Sequence, residues 1–245
     1  MTTEKNGWKM TPEQLQKACA KKTKILILNN ACNPTGTLYS KKEINDLLKI
    51  AKKNNLMVIS DEVYSGIVFD NKKFISCASF PKFRKQVIVI QSCSKNFAMT
   101  GWRVGFVCAE VRIISQLKNL LSQSTSGVTT ISQWAALAAI KNHRKIILII
   151  KNEMETRRDL LVQLMKENFN VTLTAPASSL YFLINLKDLG VKNENSDTFC
   201  LRILKKSGVV IVPGSAFGKE GFIRLSFGAK PEVISKAIRA VKACM

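Results

Sequence analysis

Three short runs of consecutive apolar residues punctuate the first part of the chain: KILILNN at 24–30, LMVIS at 56–60 and VIVIQ at 87–91. None alternates with polar residues, the pattern of parallel strands covered on both faces. Between the first two, Ser40-Lys41-Lys42-Glu43 reads as a capping box, and Ile44, Leu47, Leu48 and Ala51 then fall on one helical face. An earlier helix start lies at Thr11-Pro12-Glu13-Gln14, with threonine at the cap and proline in the first turn. Strand, helix, strand is βαβ grammar, and VGFVC at 104–108 continues the sheet as an edge or antiparallel member.

From 110 to 168 the pattern is helical, including SQWAALAAI and a long basic amphipathic stretch able to bridge two lobes. The texture then changes. VTLTA, SLYFLINL, VVIVP and FIRLSF read as strands, a helix is expected over Ser196–Lys206, and Pro231 opens a last helix with Ile234, Ile238 and Val241 on one face. The pattern therefore predicts an α/β region over 1–140, a bridging helix over 141–168 and a small α+β lobe over 169–245.

Composition narrows the function classes. With 46% hydrophobic and 22% charged residues over 245 positions the chain reads as globular, not disordered. No apolar run approaches membrane-spanning length and the start, MTTEKNGWKM, lacks a signal peptide's apolar centre, so a soluble, cytoplasmic protein without a membrane partner is expected. The 7 cysteines are odd in number, widely spaced and never C-x-x-C, which favours free thiols over a disulfide framework or zinc site. A single histidine, His143 in KNHRK, reads as a solvated residue and leaves no Ser-His-Asp triad or histidine-rich metal site. The net charge of +21 raises the question of nucleic acid. The lysines, however, come as scattered doublets with no basic tail and no interleaved aromatic platform, and solvated surface is the reading they favour.

In open parallel sheets ligands sit beyond the carboxyl ends of the strands. Just past the three strand ends stand Asn33 in NPTG, Asp61 and Tyr64 in SDEVY, and Ser92, Ser94 and Lys95 in QSCSK, with Arg103 beyond a glycine. Singly, Asp61 would be a turn residue, Lys95 a surface lysine, and Arg224 between Ile223 and Leu225 an outward-facing charge. Together, the residues past the strand ends and Arg103 match what pyridoxal 5'-phosphate requires: an amine for its aldehyde, a carboxylate for its ring nitrogen, donors for its phenolic oxygen, and hydroxyls with a guanidinium for its phosphate.

These segments resemble the class I aminotransferases of fold type I, and most closely the bacterial aspartate aminotransferase branch. The resemblance is carried by NPTG, D-E-x-Y after a buried strand, S-x-S-K-x-F-x-M-x-G-W-R-x-G, V-P-G-S-x-F-G and I-R-L-S-F, in the family's order over nearly the whole chain. It implies the pyridoxal-phosphate fold type I, with the C-terminal part of a large, mostly parallel-sheet domain followed by a small α+β domain. By position, it makes Lys95 the Schiff-base lysine and general acid/base. Asp61 pairs with the ring nitrogen, Asn33 and Tyr64 bond the phenolic oxygen, and Ser92 and Arg103 hold the phosphate. Arg224, with Asn33, binds the substrate α-carboxylate. The implied reaction moves an amino group from an L-amino acid such as aspartate to a 2-oxo acid such as 2-oxoglutarate. QSTSGVTTISQ at 123–133 resembles a segment near the family's dimer interface, which implies a homodimer.

The sequence also departs from the family pattern. Counterparts of the family's N-terminal elements, including the phosphate-binding helix terminus and the aromatic residue stacked on the cofactor ring, are not found. This predicts an open sheet edge with exposed apolar faces. Ala31-Cys32 stands where Pro-Ser is usual, and PASSLY at 176–181 where P-x-G-A-F-Y is usual. Two alternatives stay open: another fold type I enzyme, such as an aromatic or alanine aminotransferase or a carbon-sulfur lyase, and a non-catalytic fragment or sensing half of a regulator.

Overall fold

The computed structural model describes residues 2 and 4–245. They form two compact units, one of residues up to Cys32 together with Thr37–Lys151, the other of Asn33–Gly36 together with Asn152–Met245.

In the first unit the three apolar runs are strands β1 (Ile25–Asn29), β2 (Met57–Asp61) and β3 (Val87–Ser92), paired in parallel in that order. Strand β4 (Gly105–Cys108) adds antiparallel to β3, the direction a connection without a long crossover helix gives. Helix α1 spans Pro12–Ala18 and α2 spans Lys41–Lys53, and both begin as the sequence predicts. The Ser40 hydroxyl accepts from the Glu43 N–H at 3.3 Å while the Glu43 carboxylate accepts from the Ser40 N–H at 2.6 Å. Thr11 and Gln14 make the same reciprocal pair.

The apolar face of α2 (Ile44, Leu47, Leu48, Ala51) is wholly buried against Leu26, Leu28, Val58, Val87 and Val89. That burial, at about 25 cal/mol per Å² of apolar surface, is the main force holding α2 on the sheet. The opposite face of β1 is open, with Ile27 70% exposed, so coverage on both faces does not hold for this strand. Three helices follow: α3 (Cys93–Asn96), α4 (Val111–Ser124) and α5 (Thr130–Lys141).

Helix α6 (His143–Phe169) runs through the division between the units, which falls at Lys151 and Asn152. The second unit contains β5 (Tyr181–Asn185), α7 (Ser196–Ser207), β6 (Val212–Pro213), β7 (Phe222–Ser226) and α8 (Pro231–Ala243). Its sheet is antiparallel with β7 between β5 and β6. Asn195 caps α7 through the Thr198 N–H at 2.8 Å, Pro231 opens α8, and Phe182 meets Phe227 edge to face at 5.7 Å.

Two expected strands fall short. VTLTA at 171–175 forms no strand, and of VVIVP only Val212–Pro213 pairs. Both are rich in β-branched residues, but a strand exists only where a neighbour completes its ladder, which propensity does not supply.

Candidate active site

In the first unit the ends of β2 and β3 carry most of the candidate residues. Alternation along β2 and into the residue after it buries Ser60 and Glu62, leaving Asp61 half-buried on the other face. Register sets Asp61 beside Asn29 and Ile90. Its Oδ1 accepts from the Val63 N–H at 3.3 Å, and burial pushes its carboxyl above the usual carboxylate range. No described cation pairs with it. Such a carboxylate suits a ring N–H⁺, because an opposite charge offsets the desolvation that disfavours its ionised form.

Lys95 lies on α3, which opens directly from β3: the Ser92 hydroxyl caps it by accepting from the Ser94 N–H at 3.1 Å. The Lys95 ammonium sits 6.0 Å from the centre of the buried Tyr64 ring. Arg103, in a left-handed conformation (φ 52°), donates Nη1 to the Thr100 carbonyl at 2.9 Å and has no acidic partner among the described residues. With Ser92 and Ser94 it lines an open cleft of about 660 Å³ walled by Val104, Leu117 and Leu121. A guanidinium without a carboxylate beside serine hydroxyls suits a phosphate dianion.

Two residues here escaped the sequence reading. Asn96, buried next to Lys95, donates Nδ2 to the Ser65 hydroxyl at 3.0 Å and accepts from the Gly66 N–H at 2.9 Å through Oδ1. It ties the helix bearing Lys95 to the turn bearing Tyr64. Glu62, 1% exposed, accepts on Oε1 from the Ser60 hydroxyl (2.8 Å), the Ser76 hydroxyl (2.9 Å) and the Cys77 N–H (3.0 Å). Burial raises its carboxyl too, and the neighbouring Asp61 charge adds to the rise. The available signal was a polar residue immediately following a buried strand, where a solvated side chain is the default expectation.

In the second unit, Arg224 of β7 is not the outward-facing charge that its apolar neighbours suggest. Its guanidinium lies over the Tyr181 ring at 4.2 Å and the Phe217 ring at 5.0 Å, and Nη1 donates to Asn33 Oδ1 at 3.0 Å. Stacking on two rings restrains the guanidinium plane, which favours bidentate binding of a carboxylate. Tyr181 and Phe217 were not picked out from sequence, although each lies in a quoted motif.

The sequence-derived residues thus form two groups: Asp61, Tyr64, Ser92, Ser94, Lys95 and Arg103 in the first unit, and Asn33 with Arg224 in the second. His143 is exposed at the start of α6. All seven cysteines are free thiols. Among the described residues there is no metal-holding cluster of His, Cys, Asp and Glu, and no helix is long and apolar enough to cross a membrane.

Residues 1–241 match the sequence family described as aminotransferase class I and II. The chain belongs to this family. Family members depend on pyridoxal phosphate, and the solved structures it resembles have fold type I. An asparagine–oxo-acid transaminase of Streptococcus mutans is 34% identical over 100% of this chain and 63% of its own length. An aspartate aminotransferase of Bacillus sp. strain YM-2 is 32% identical over 98% of this chain and 62% of its own. Among solved structures, the aromatic aminotransferase of Pyrococcus horikoshii superposes with a TM-score of 0.91 at 32% identity, over 99% of this chain and 64% of that one. The aspartate aminotransferase of Thermus thermophilus with maleate gives 0.91 at 28% identity, over 100% of this chain and 63% of that one. The chain therefore spans less than two thirds of the length of these relatives.

Proposed function

We propose that this chain carries the lysine-bearing part of a pyridoxal-phosphate-dependent aminotransferase that moves an amino group between an L-amino acid, aspartate first, and a 2-oxo acid such as 2-oxoglutarate. The observation that supports it most is the set of charged groups at the ends of β2 and β3 that have no ion-pair partner among the described residues: the half-buried Asp61, Lys95 and Arg103.

When bound, the cofactor supplies an electrophilic aldehyde carbon and a protonated ring that accepts the electron pair released at the substrate α-carbon. Asp61 keeps the proton on the ring nitrogen. Lys95 provides the amine that holds the cofactor and afterwards takes and returns the substrate's α-proton at Nζ. The Tyr64 hydroxyl and the Asn33 amide serve the phenolic oxygen, and Ser92 and Arg103 bind the phosphate. Arg224 binds the α-carboxylate of substrate with Asn33.

Aspartate is favoured over other donors by the names of the relatives; the neighbour solved with maleate points to a dicarboxylate. A homodimer is supported by exposed apolar side chains on α5, where Trp134 is 67% exposed, next to the 123–133 segment. The test is to mix the purified protein with pyridoxal phosphate, reduce with borohydride and locate the added mass by peptide mapping. Near-stoichiometric labelling of Lys95, lost in Lys95→Ala, is expected. Labelling spread evenly over surface lysines overturns the reading.

A further inference from the structure

Ser178 occupies a position that is usually glycine in the family pattern P-x-G-A-F-Y, and the structure gives its hydroxyl a partner. Ser178 is fully buried, and its Oγ donates to the Gly36 carbonyl at 2.8 Å. Gly36 closes the N-P-T-G turn with φ +65°, and a Cβ there would collide with the Pro176 side chain and lie 2.7 Å from the Ser178 carbonyl oxygen. Only glycine allows this approach. The segment it packs on is itself anchored: the buried Arg158 of α6 donates Nη1 to the Pro176 carbonyl at 3.3 Å and is paired with Asp159 at 2.8 Å. At the other end of the same turn, Asn33 Oδ1 accepts from Arg224.

We propose that Ser178 is a positioning residue for Asn33: its hydroxyl tethers the N-P-T-G turn to the 176–179 segment and thereby fixes the amide that orients Arg224. The departure from glycine is then a gain of contact rather than a defect. Without the hydroxyl the buried Gly36 carbonyl loses its Ser178 partner, and moving the turn relieves such a carbonyl. The tether acts on the substrate-carboxylate end of the function proposed above and rests on that reading for its consequence, though not for its geometry.

The test uses the ¹⁵N-labelled chain without cofactor, observing the Arg224 Nη1–H and Asn33 side-chain amide signals in wild type, Ser178→Ala and Ser178→Gly. Both variants are expected to shift both signals and to speed exchange of the Arg224 Nη1–H that bonds Asn33 about three- to tenfold, the scale of one lost hydrogen bond. The Asn195 side-chain amide, which caps α7 in the same unit, stays in place. Unmoved Arg224 and Asn33 signals overturn the proposal, and so does a shift shared equally by Asn195, which marks general loosening. With pyridoxal phosphate added, maleate binding should weaken by a similar factor while Lys95 labelling stays unchanged. Failure of the wild type to take up cofactor or maleate would sink the aminotransferase reading, and the cofactor-free comparison would still decide the tether.

Discussion

Helices α2 and α4 are alike on paper and opposite in the structure. They span Lys41–Lys53 and Val111–Ser124, and each carries an apolar stripe. The stripe of α2 is sealed against β1, β2 and β3, whereas α4 has no buried residue and Val111 is 82% exposed. An amphipathic pattern states that a face requires a partner; it does not say that the partner is present. The same contrast holds for polar groups. Asn96 and Glu62 have their hydrogen bonds satisfied inside the first unit, while Ser179 in the second has a buried hydroxyl with none.

The largest expected effect tests the two helices directly. Leu47→Ala should lower unfolding stability by about 3 kcal/mol, because it deletes a fully buried side chain, whereas Leu120→Ala on α4 should change it by less than about 0.5 kcal/mol. Urea denaturation of the two variants measures the gap, and equal losses would break the comparison.

Next is Asn96→Ala, which removes both bonds joining α3 to the Tyr64 turn. A loss of about 2 kcal/mol is expected, with weaker borohydride trapping on Lys95 than in wild type. Full labelling at reduced stability would show that α3 holds Lys95 without the tie.

Glu62→Gln gives a pH signature. Burial holds the folded Glu62 carboxyl above its unfolded value, so its contribution to stability is complete below about pH 4 and is lost as pH rises through the folded value. The amide can still accept at Oε1 and does not ionise. The variant should therefore gain stability relative to wild type as pH rises from about 4, followed by thermal melts across that range. A stability difference that does not change with pH would mean Glu62 ionises as readily folded as unfolded.

The smallest effect is a gain. Ser179 combines φ +71° with its orphan hydroxyl, and Ser179→Gly removes both, for an expected rise of about 1 kcal/mol after the entropy of glycine is counted. Ser179→Ala removes only the hydroxyl and should gain less.

Much of the candidate site was legible because its residues lie at or just past strand ends and sit in short, ordered motifs: Asp61 stands at the end of β2 and Lys95 just past β3, as the apolar runs indicate. Asn96 and Glu62 could not, since nothing local tells a buried, fully bonded polar residue from a solvated one. Arg224 was legible only through its motif, as its own neighbours argued for an outward charge. VTLTA failed in the opposite sense, being strand-like in composition and without a ladder.

What the sequence determined by itself is local: the capping boxes at Thr11 and Ser40, the three parallel strands, the family, and which candidate residues lie at or just past the strand ends. These depend on near neighbours and on spacing. The tertiary structure alone decided which apolar faces are covered, which carboxylates are buried, and how Arg224 is held against two rings, because burial and hydrogen-bond partnership are set by residues distant in the chain.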